Sequence, residues 1–373
     1  MMTLGERLRY ARNRASLTLA QVAQRTDVGE SSLSEFEHSK REPSLSQLQM
    51  LAKAYSRSVA FFLSEGEFPR EVVLWRERPR EAAGEIEAKF LRLCEQYHNL
   101  EMWCEQRLAV RLPQAEGDVE GFVYARAEML AKRVRDELQL GDRPGQVLLR
   151  VLEEVCGIKV FHLPFEPTGT AASTMSETFG AAILLNSDSV RWRRNFDLAH
   201  ELFHLLTWSI FRPANAPDAS GIEAPKREEK LAQCFAGNLL MPTDAVRIAI
   251  ESRTKNGKIA IEVLYDVARE FDVSVDALLW RMHFLFGRGP EGGDQTKRDI
   301  ERAKAYAVLF EDRGRGVAEV YPGRYHALAV KALRRGEISI GRFAEYLGIG
   351  RREAMTYIEQ EIADDEEVQV TPA

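Results

Sequence analysis

Apolar residues recur at helical spacing along most of this chain, and polar or glycine-containing breaks divide the pattern into parts. The spacing predicts five short helices within residues 1–65. Within 66–119, apolar residues alternate four and three apart over about two and a half heptads. This seam consists of Ile86, Phe90, Leu93, Tyr97, Leu100 and Cys104. Such a helix could join two copies into a homodimer or pack on its own chain, and the pattern favours neither.

The central part of the chain, residues 120–286, mixes helical spacing with short apolar runs that are typical of strands. One strand is predicted within 158–164 and another within 177–187. We expect the segment Ala181–Leu185 of the second strand to pair with an extended peptide, because unpaired strand edges bind peptides in this way. Taken over the whole chain, the pattern predicts an α+β fold that is mostly α.

A linker rich in glycine follows, and residues 298–362 then form a predicted C-terminal helical module. Its apolar spacing around Gly348 resembles a helix-turn-helix, and Arg351 and Arg352 begin the second helix, where they could touch phosphate. Packing between domains is the more economical interpretation of this module. The acidic tail at 363–373 is predicted to be disordered.

Charge and composition limit where nucleic acid could bind. The 373 residues carry a formal net charge of −6, so the overall field does not attract nucleic acid. Residues 1–65 hold nine basic and seven acidic residues, a local excess of +2. Apolar runs long enough for a membrane span are missing, as is an apolar signal core at the start. We therefore expect a cytoplasmic protein that does not act in a membrane.

The N-terminal helices match a DNA-reading arrangement. Residues 17–23 form one short helix, 26–29 a tight turn, and 30–37 a second helix that would enter the major groove. Over about 60 residues the sequence resembles the Xre family of DNA-binding domains, which implies double-stranded operator DNA as the partner. The candidate groove and phosphate contacts are Gln21, Ser31, Ser32, Ser34, Glu35, Lys40 and Arg41, with Arg7, Arg9, Arg12 and Arg14 as further phosphate candidates.

The second motif is HELFH at 200–204. Residues four apart lie on one face of a helix, so His200 and His204 can reach the same ion, and Glu201 lies beside them as a candidate general base. A chance HExxH arises in roughly one such chain per hundred. The competing explanation is a buried helix in which both histidines have hydrogen-bond partners and bind no metal. A zinc site also needs a third protein ligand, for which Glu228 and Glu229 are the nearest downstream candidates.

Two longer blocks carry a family resemblance. Arg194–Leu206 and Glu229–Pro242, which ends in LLMP, resemble the ImmA/IrrE metallopeptidase family over roughly 120–285. The resemblance implies a zincin-like domain with a small sheet, a Zn²⁺ cofactor and Glu229 as the third ligand. It also implies a protein substrate such as a partner repressor, in a stress or mobile-element response.

Three residues depart from the family pattern. Phe203 replaces the usual glycine and puts bulk beside the site, so it places catalysis in question. Gln233 replaces an asparagine. Asp197 replaces the usual hydroxyl residue three positions before His200. It could orient a ligand imidazole from there, but an ordinary acidic residue in the first turn of the helix is the favoured explanation.

Two functions follow from these motifs. The first is a DNA-binding regulator with a zinc endopeptidase domain, in which Glu201 takes a proton from water. The second is a regulator or antitoxin-like protein that uses the same fold as a sensor without cleaving anything.

Overall fold

A computed structural model describes residues 3–15, 17–55, 57, 59–63, 72–109, 111–212, 222–287, 292–307 and 318–363. The acidic tail predicted from residue 363 onward lies outside these ranges, apart from Ala363 itself. The described part of the chain is mostly helical around one small sheet, as the sequence predicts. Within that part, no helix combines the length and the apolar composition that crossing a bilayer requires.

The N-terminal part contains the five predicted helices. They are α1 (Leu4–Arg14), α2 (Leu19–Thr26), α3 (Glu30–Glu37), α4 (Leu45–Ala54) and α5 (Val59–Leu63). The first, second and fourth helices begin at hydroxyl residues whose side chains accept the first free backbone N–H groups, each within a capping box. Their apolar faces close a separate small core around Leu8, Val22, Leu33, Phe36 and Leu51.

The sheet has five strands in the order β2-β4-β3-β1-β5. These are β1 (Val73–Trp75), β2 (Lys159–Leu163), β3 (Ala171–Ser176), β4 (Gly180–Asn186) and β5 (Ile222–Glu223). Strand β4 pairs in parallel with β2 and antiparallel with β3, so both of its edges are occupied. The prediction that Ala181–Leu185 pairs with an extended peptide is therefore wrong.

Helices surround the inner face of this sheet and form the largest core with it. They are α7 (Tyr124–Glu137), α8 (Leu148–Glu154), α9 (Arg191–Leu206), α10 (Trp208–Phe211), α11 (Lys226–Leu240), α12 (Thr243–Glu251), α13 (Ile261–Phe271) and α14 (Val275–Leu285). Helix α9 lies against β3 and β4 on one side and α11 on the other. This central position places the HELFH sequence in the interior.

The outer face of the sheet is covered by α6 (Ala83–Trp103) and the C-terminal helices. Those helices are α16 (Gly323–Arg334), α17 (Ile340–Leu347) and α18 (Arg351–Ala363). Helix α15 (Gly292–Ala307) instead packs on α14, and its Ile300 and Ala303 belong to the inner core. The heptad residues of α6 pack against Phe161 of β2 and against Tyr325 and Leu328 of α16. The seam is thus filled within the chain, and α6 offers no free heptad face for a second copy.

A buried charge cluster joins α6, β2 and α16. Glu101 of α6 is 1% exposed, and its two oxygens receive Lys159 Nζ at 2.9 Å and Arg324 Nη1 at 2.5 Å. The Arg324 guanidinium also donates to Tyr97 Oη at 3.3 Å. One carboxylate therefore balances two cations at the contact between three elements.

We predict that Glu101→Gln destabilises the protein strongly. The change removes the anion and leaves the buried Lys159 and the partly buried Arg324 without their shared counter-charge, and breaking a buried pair in this way costs about 3–5 kcal/mol. Chemical denaturation followed by circular dichroism measures the loss. Glu105→Gln, an exposed position at the end of the same helix, is the control and should change stability by less than about 0.5 kcal/mol. Equal denaturation midpoints for the two variants would contradict this account of the cluster.

Candidate metal centre

Helix α9 holds the three polar residues of HELFH in an apolar interior. Its apolar residues are buried on either side of the motif, and His200 and Glu201 are 0% exposed while His204 is 1% exposed. Buried polar groups need partners, since leaving them unpaired is costly. The ligand atoms of these three residues lie within 4.8 Å of one another. The helix therefore concentrates two imidazoles and a carboxylate in one buried place.

Glu229 on α11 completes a compact group of two imidazoles and one carboxylate. Its Oε2 lies 3.1 Å from His200 Nε2, its Oε1 lies 3.3 Å from His204 Nε2, and the two Nε2 atoms are 3.3 Å apart. A tetrahedral zinc site with bonds of about 2.0–2.1 Å has ligand atoms about 3.3 Å apart. The donor set, two imidazoles and one carboxylate, is also one that zinc prefers. These residues therefore fit a zinc ion.

The charges of the two imidazoles also indicate that the centre suits a cation. Burial lowers the pKa of His200 to about 4, so this ring is neutral at neutral pH. Burial also acts to lower the pKa of His204, but hydrogen bonds to Glu228 and Glu229 outweigh it and raise that pKa to about 9. His204 is thus cationic between two carboxylates. A divalent cation held by the same atoms would take over that positive charge.

Glu201 is poised differently from Glu229. One carboxylate oxygen accepts a hydrogen bond from Ser173 Oγ of β3 at 2.7 Å, and the other has no hydrogen-bond partner among the described residues. Burial raises the pKa of Glu201 to about 7, against the opposing effects of His204 and the Ser173 hydrogen bond. A carboxylate with such a pKa can accept and return a proton near neutral pH.

Glu228, the other sequence candidate for third ligand, faces the outer side of His204. Its Oε1 lies 2.7 Å from His204 Nδ1 and also accepts from Arg212 Nη2 at 2.7 Å. A carboxylate on the far nitrogen of a ligand imidazole fixes the orientation of the ring. Neighbouring positions on a helix differ by about 100° in direction. Glu229 therefore faces the Nε2 atoms of both histidines, whereas Glu228 faces Nδ1 of His204.

Among the described residues, the hydrogen-bond partners of the Asp197 carboxylate are arginines and not histidines. Its carboxylate accepts from Arg76 Nη1 at 2.8 Å and from Arg193 Nε at 3.1 Å, and Arg76 Nε lies 3.9 Å from Glu229 Oε2. The idea that Asp197 orients a ligand imidazole is thus wrong, because the two arginines take up its oxygens. Helical spacing identified Asp197 but could not identify Arg76, which follows β1 some 120 positions earlier.

Phe203 does not fill the space beside Glu201. Its ring is fully buried in an aromatic cluster with Phe122, Phe211 and Phe235, at centroid distances of 5.6 to 6.4 Å. It also meets the His204 ring in an edge arrangement at 5.8 Å. The bulk expected to crowd the site is therefore taken into the core, where it packs against the imidazole of His204.

The N-terminal helices place most of the candidate DNA contacts on the surface. Ser31 and Glu35 of α3 are exposed, as are Lys40 and Arg41 just beyond it. Ser32 and Ser34 are partly buried, and Ser34 Oγ lies 3.5 Å from His38 Nδ1. The candidate contacts therefore extend from the first turn of α3 to the segment just after its last turn.

Three other candidates have structural partners. Gln21 is exposed, but its side-chain oxygen accepts from Thr18 N at 2.8 Å and caps α2. Arg12 forms a two-point ion pair with Glu37 at 2.6 and 2.9 Å. Arg7 is 2% exposed and donates to Phe61 O. Arg7 and Arg12 hold the domain together, so the sequence prediction that they grip phosphate is wrong for these two.

Comparison with solved structures gives only distant similarities. The chain is 13% identical to ComR from Streptococcus suis, over 98% of this chain and 97% of that one, with a TM-score of 0.16. It is 12% identical to PlcR from Bacillus thuringiensis, solved with the peptide PapR7 and DNA, over 98% of both chains with a TM-score of 0.17. At these scores neither structure bears on the arrangement of this chain.

Sequence comparison is more specific. The HTH-type transcriptional regulator ImmR of Bacillus subtilis (strain 168) is 31% identical over 70 residues, which cover 19% of this chain. The match spans about half of that protein, 55% of its length. Residues 3–60 match a helix-turn-helix domain family, and residues 153–283 match the IrrE N-terminal-like domain of the peptidase M78 family. The chain therefore joins a helix-turn-helix domain at its N-terminus to an IrrE/ImmA-like domain that contains the His200–Glu201–His204 centre.

Proposed function

We propose that this protein is a DNA-binding regulator whose IrrE/ImmA-like domain is a zinc-dependent endopeptidase acting on another protein. The observation that carries the enzymatic part is the triangle of His200 Nε2, His204 Nε2 and the Glu229 carboxylate, with sides of 3.1 to 3.3 Å. We assign these three residues as zinc ligands and Glu201 as general base. A partner repressor is the substrate class that the family resemblance suggests.

The residues of this chain divide the work as follows. His200, His204 and Glu229 hold the metal, while Glu228 fixes the ring of His204 through Nδ1. Ser173 holds one oxygen of Glu201, so the other oxygen is free to take a proton from water and pass it to the leaving amine. A zinc ion, when bound, makes water acidic and polarises the scissile carbonyl.

A regulator that binds metal without cleaving protein is the second candidate, and one observation favours it. All three polar side chains of the HELFH motif are at most 1% exposed, whereas the side chain of Glu229 is 16% exposed and reaches the surface. A peptide needs access to Glu201, whereas a metal ion needs only a narrow path. Cleavage and metal binding must therefore be measured separately.

We predict that the purified chain binds one Zn²⁺ and that Glu229→Gln loses most of it. Removing the third ligand leaves two imidazoles, which make a much weaker site. Glu228→Gln should weaken zinc binding by about 10–100-fold, because it removes only the group that orients His204. Competition with a chromophoric chelator measures both affinities.

Glu262→Gln, an exposed glutamate on α13, is the matched control and should bind zinc like the unaltered chain. If Glu229→Gln also binds zinc normally, Glu229 is not a ligand, and Glu201 or Glu228 must take its place.

We predict that Glu201→Gln keeps its zinc and loses peptidase activity by about 10²–10⁴-fold, the usual contribution of a general base. The assay combines a peptide library with proteins encoded by neighbouring genes, and mass spectrometry detects cleavage. Normal cleavage by Glu201→Gln would rule out this mechanism. No cleavage by the zinc-loaded unaltered chain, with normal promoter control by His200→Ala/His204→Ala, would favour a regulator that does not cleave protein.

We also propose that the N-terminal domain binds double-stranded DNA. Support comes from the match to a helix-turn-helix family, from the similarity to a regulator of that type, and from the exposed face of α3 beside Lys40 and Arg41. Phosphate contacts by lysine and arginine set the affinity, and groove contacts by Ser31, Ser32, Ser34 and Glu35 would set the sequence preference.

We predict that Lys40→Ala/Arg41→Ala weakens binding to the chain's own promoter fragment. The slope of log K against log salt should become shallower by about 0.9 for each phosphate that the variant no longer neutralises, hence by up to about 1.8. Fluorescence anisotropy at several salt concentrations measures it. Lys255→Ala/Lys258→Ala removes the same charge from a turn of the IrrE/ImmA-like domain and serves as control. Parallel slopes for the two double variants would count against this surface.

A further inference from the structure

The C-terminal helices repeat the geometry of the N-terminal helix-turn-helix. Helix α2 has eight residues, and α3 begins after a turn of three. Helix α17 also has eight residues, and α18 begins after a turn of three. The first turn residue is left-handed in both cases, with φ 53° at Asp27 and 64° at Gly348. A Cβ at Gly348 would lie 2.9 Å from Tyr321 Oη, so a larger residue there would have to displace the Tyr321 side chain.

The interior positions of the two units coincide as well. The fourth residue of the first helix is Val22 in one unit and Phe343 in the other, and both are fully buried. The fourth residue of the second helix is Leu33 or Ala354, and both are again buried. The α17–α18 pair therefore matches α2–α3 in helix length, turn length and the positions of its buried residues, which is the pattern of a helix-turn-helix.

The second helix of this unit faces solvent. The module is anchored through α16, which packs on α6, while α18 lies on α17 and on His326 of α16. Its residues Arg351, Arg352, Met355 and Thr356 are exposed. No described residue pairs with the guanidinium groups of Arg351 and Arg352. The position equivalent to the DNA-reading helix is therefore available to a partner.

The charge of the module points to an anionic partner. Residues 323–357 contain seven basic and three acidic residues, a net +4 in a chain whose total is −6. One of the seven basic residues, Arg324, is paired with Glu101, and one of the three acidic residues, Glu345, is paired with Arg92 of α6, so the remaining six basic and two acidic residues still give +4. The acidic residues from 359 onward begin about 12 Å along α18 from Arg351, beyond the screening length of about 8 Å in physiological salt.

Helix stability does not account for Arg351 and Arg352. They occupy the first turn of α18, where the helix dipole is positive and cations are unfavourable. The first turn of α18 also holds Glu353, as that of α3 holds Glu30, but in α18 the two arginines outweigh the single carboxylate. Two exposed arginines at the wrong end of the dipole are explained if they meet phosphates instead.

We propose that α17 and α18 form a second binding site for double-stranded DNA, with α18 at the major groove and Arg351 and Arg352 on phosphates. The site is separate from the N-terminal one and goes beyond the proposed function, in which a single helix-turn-helix binds DNA. The protein would then contact DNA at two places along one chain.

The experiment measures binding of the full chain to a duplex of about 40 bp and mixed sequence by fluorescence anisotropy between about 50 and 300 mM salt. Arg351→Ala/Arg352→Ala should lower the affinity at about 0.1 M salt by more than about tenfold and make the salt slope shallower by about 1.8. Lys255→Ala/Lys258→Ala, which removes the same charge elsewhere, should have no such effect. Circular dichroism checks that the helices are retained.

A second comparison separates this site from the N-terminal one. Lys40→Ala/Arg41→Ala should retain part of its binding, and adding Arg351→Ala/Arg352→Ala should remove that part. If Arg351→Ala/Arg352→Ala binds like the Lys255→Ala/Lys258→Ala control, the second site does not exist, whatever Lys40 and Arg41 do. If only the Lys40→Ala/Arg41→Ala change weakens binding, the N-terminal proposal stands and this one fails. Absence of DNA binding by the unaltered chain would overturn both.

Discussion

The balance of charge in the buried centre is the constraint on which the rest of the structure depends. Helices α9 and α11 place four carboxylates in or near an apolar core, those of Asp197, Glu201, Glu228 and Glu229. Isolated buried charges are very costly, so each carboxylate needs a cation or a hydrogen bond. Arg76 and Arg193 serve Asp197, Arg212 serves Glu228, and Ser173 serves Glu201. What remains is a triangle of two imidazoles and Glu229 that suits a cation.

The need to balance the charge of Asp197 also explains why β1 and α6, which follow the N-terminal domain, pack with the domain that holds the buried centre. Arg76 reaches Asp197 because β1 pairs with β3, the strand that carries Ser173. Trp75 of β1 in turn donates to Glu87 of α6 at 2.8 Å, and Arg25 of α2 pairs with Glu85 on the same helix. The DNA-binding domain and the buried centre are thus joined through one strand and one helix.

Local pattern and the family resemblance together predicted the candidate ligands and base that lie on helices. His200, Glu201 and His204 follow from spacing on one helix, and Glu229 follows from the family resemblance. The residues that the sequence could not supply are those brought in by strand pairing. Strand β1 has only three residues, and β3 consists largely of small residues, so neither shows a clear alternation. The roles of Arg76 and Ser173 in the centre can be recognised only once the order of strands is known. The strand β4 was predicted correctly, but its pairing with an extended peptide was not. A strand can be recognised from its sequence pattern, whereas the strands on either side of it cannot.

A crystal structure of the zinc-loaded chain, with anomalous scattering at the zinc edge, tests the central claim most directly. The account predicts one anomalous peak per chain, at about 2.0–2.2 Å from His200 Nε2, His204 Nε2 and a Glu229 oxygen, with Glu201 and Glu228 outside bonding distance. A peak coordinated by Glu201 or Glu228 in place of Glu229, or no peak between the two imidazoles, would contradict it.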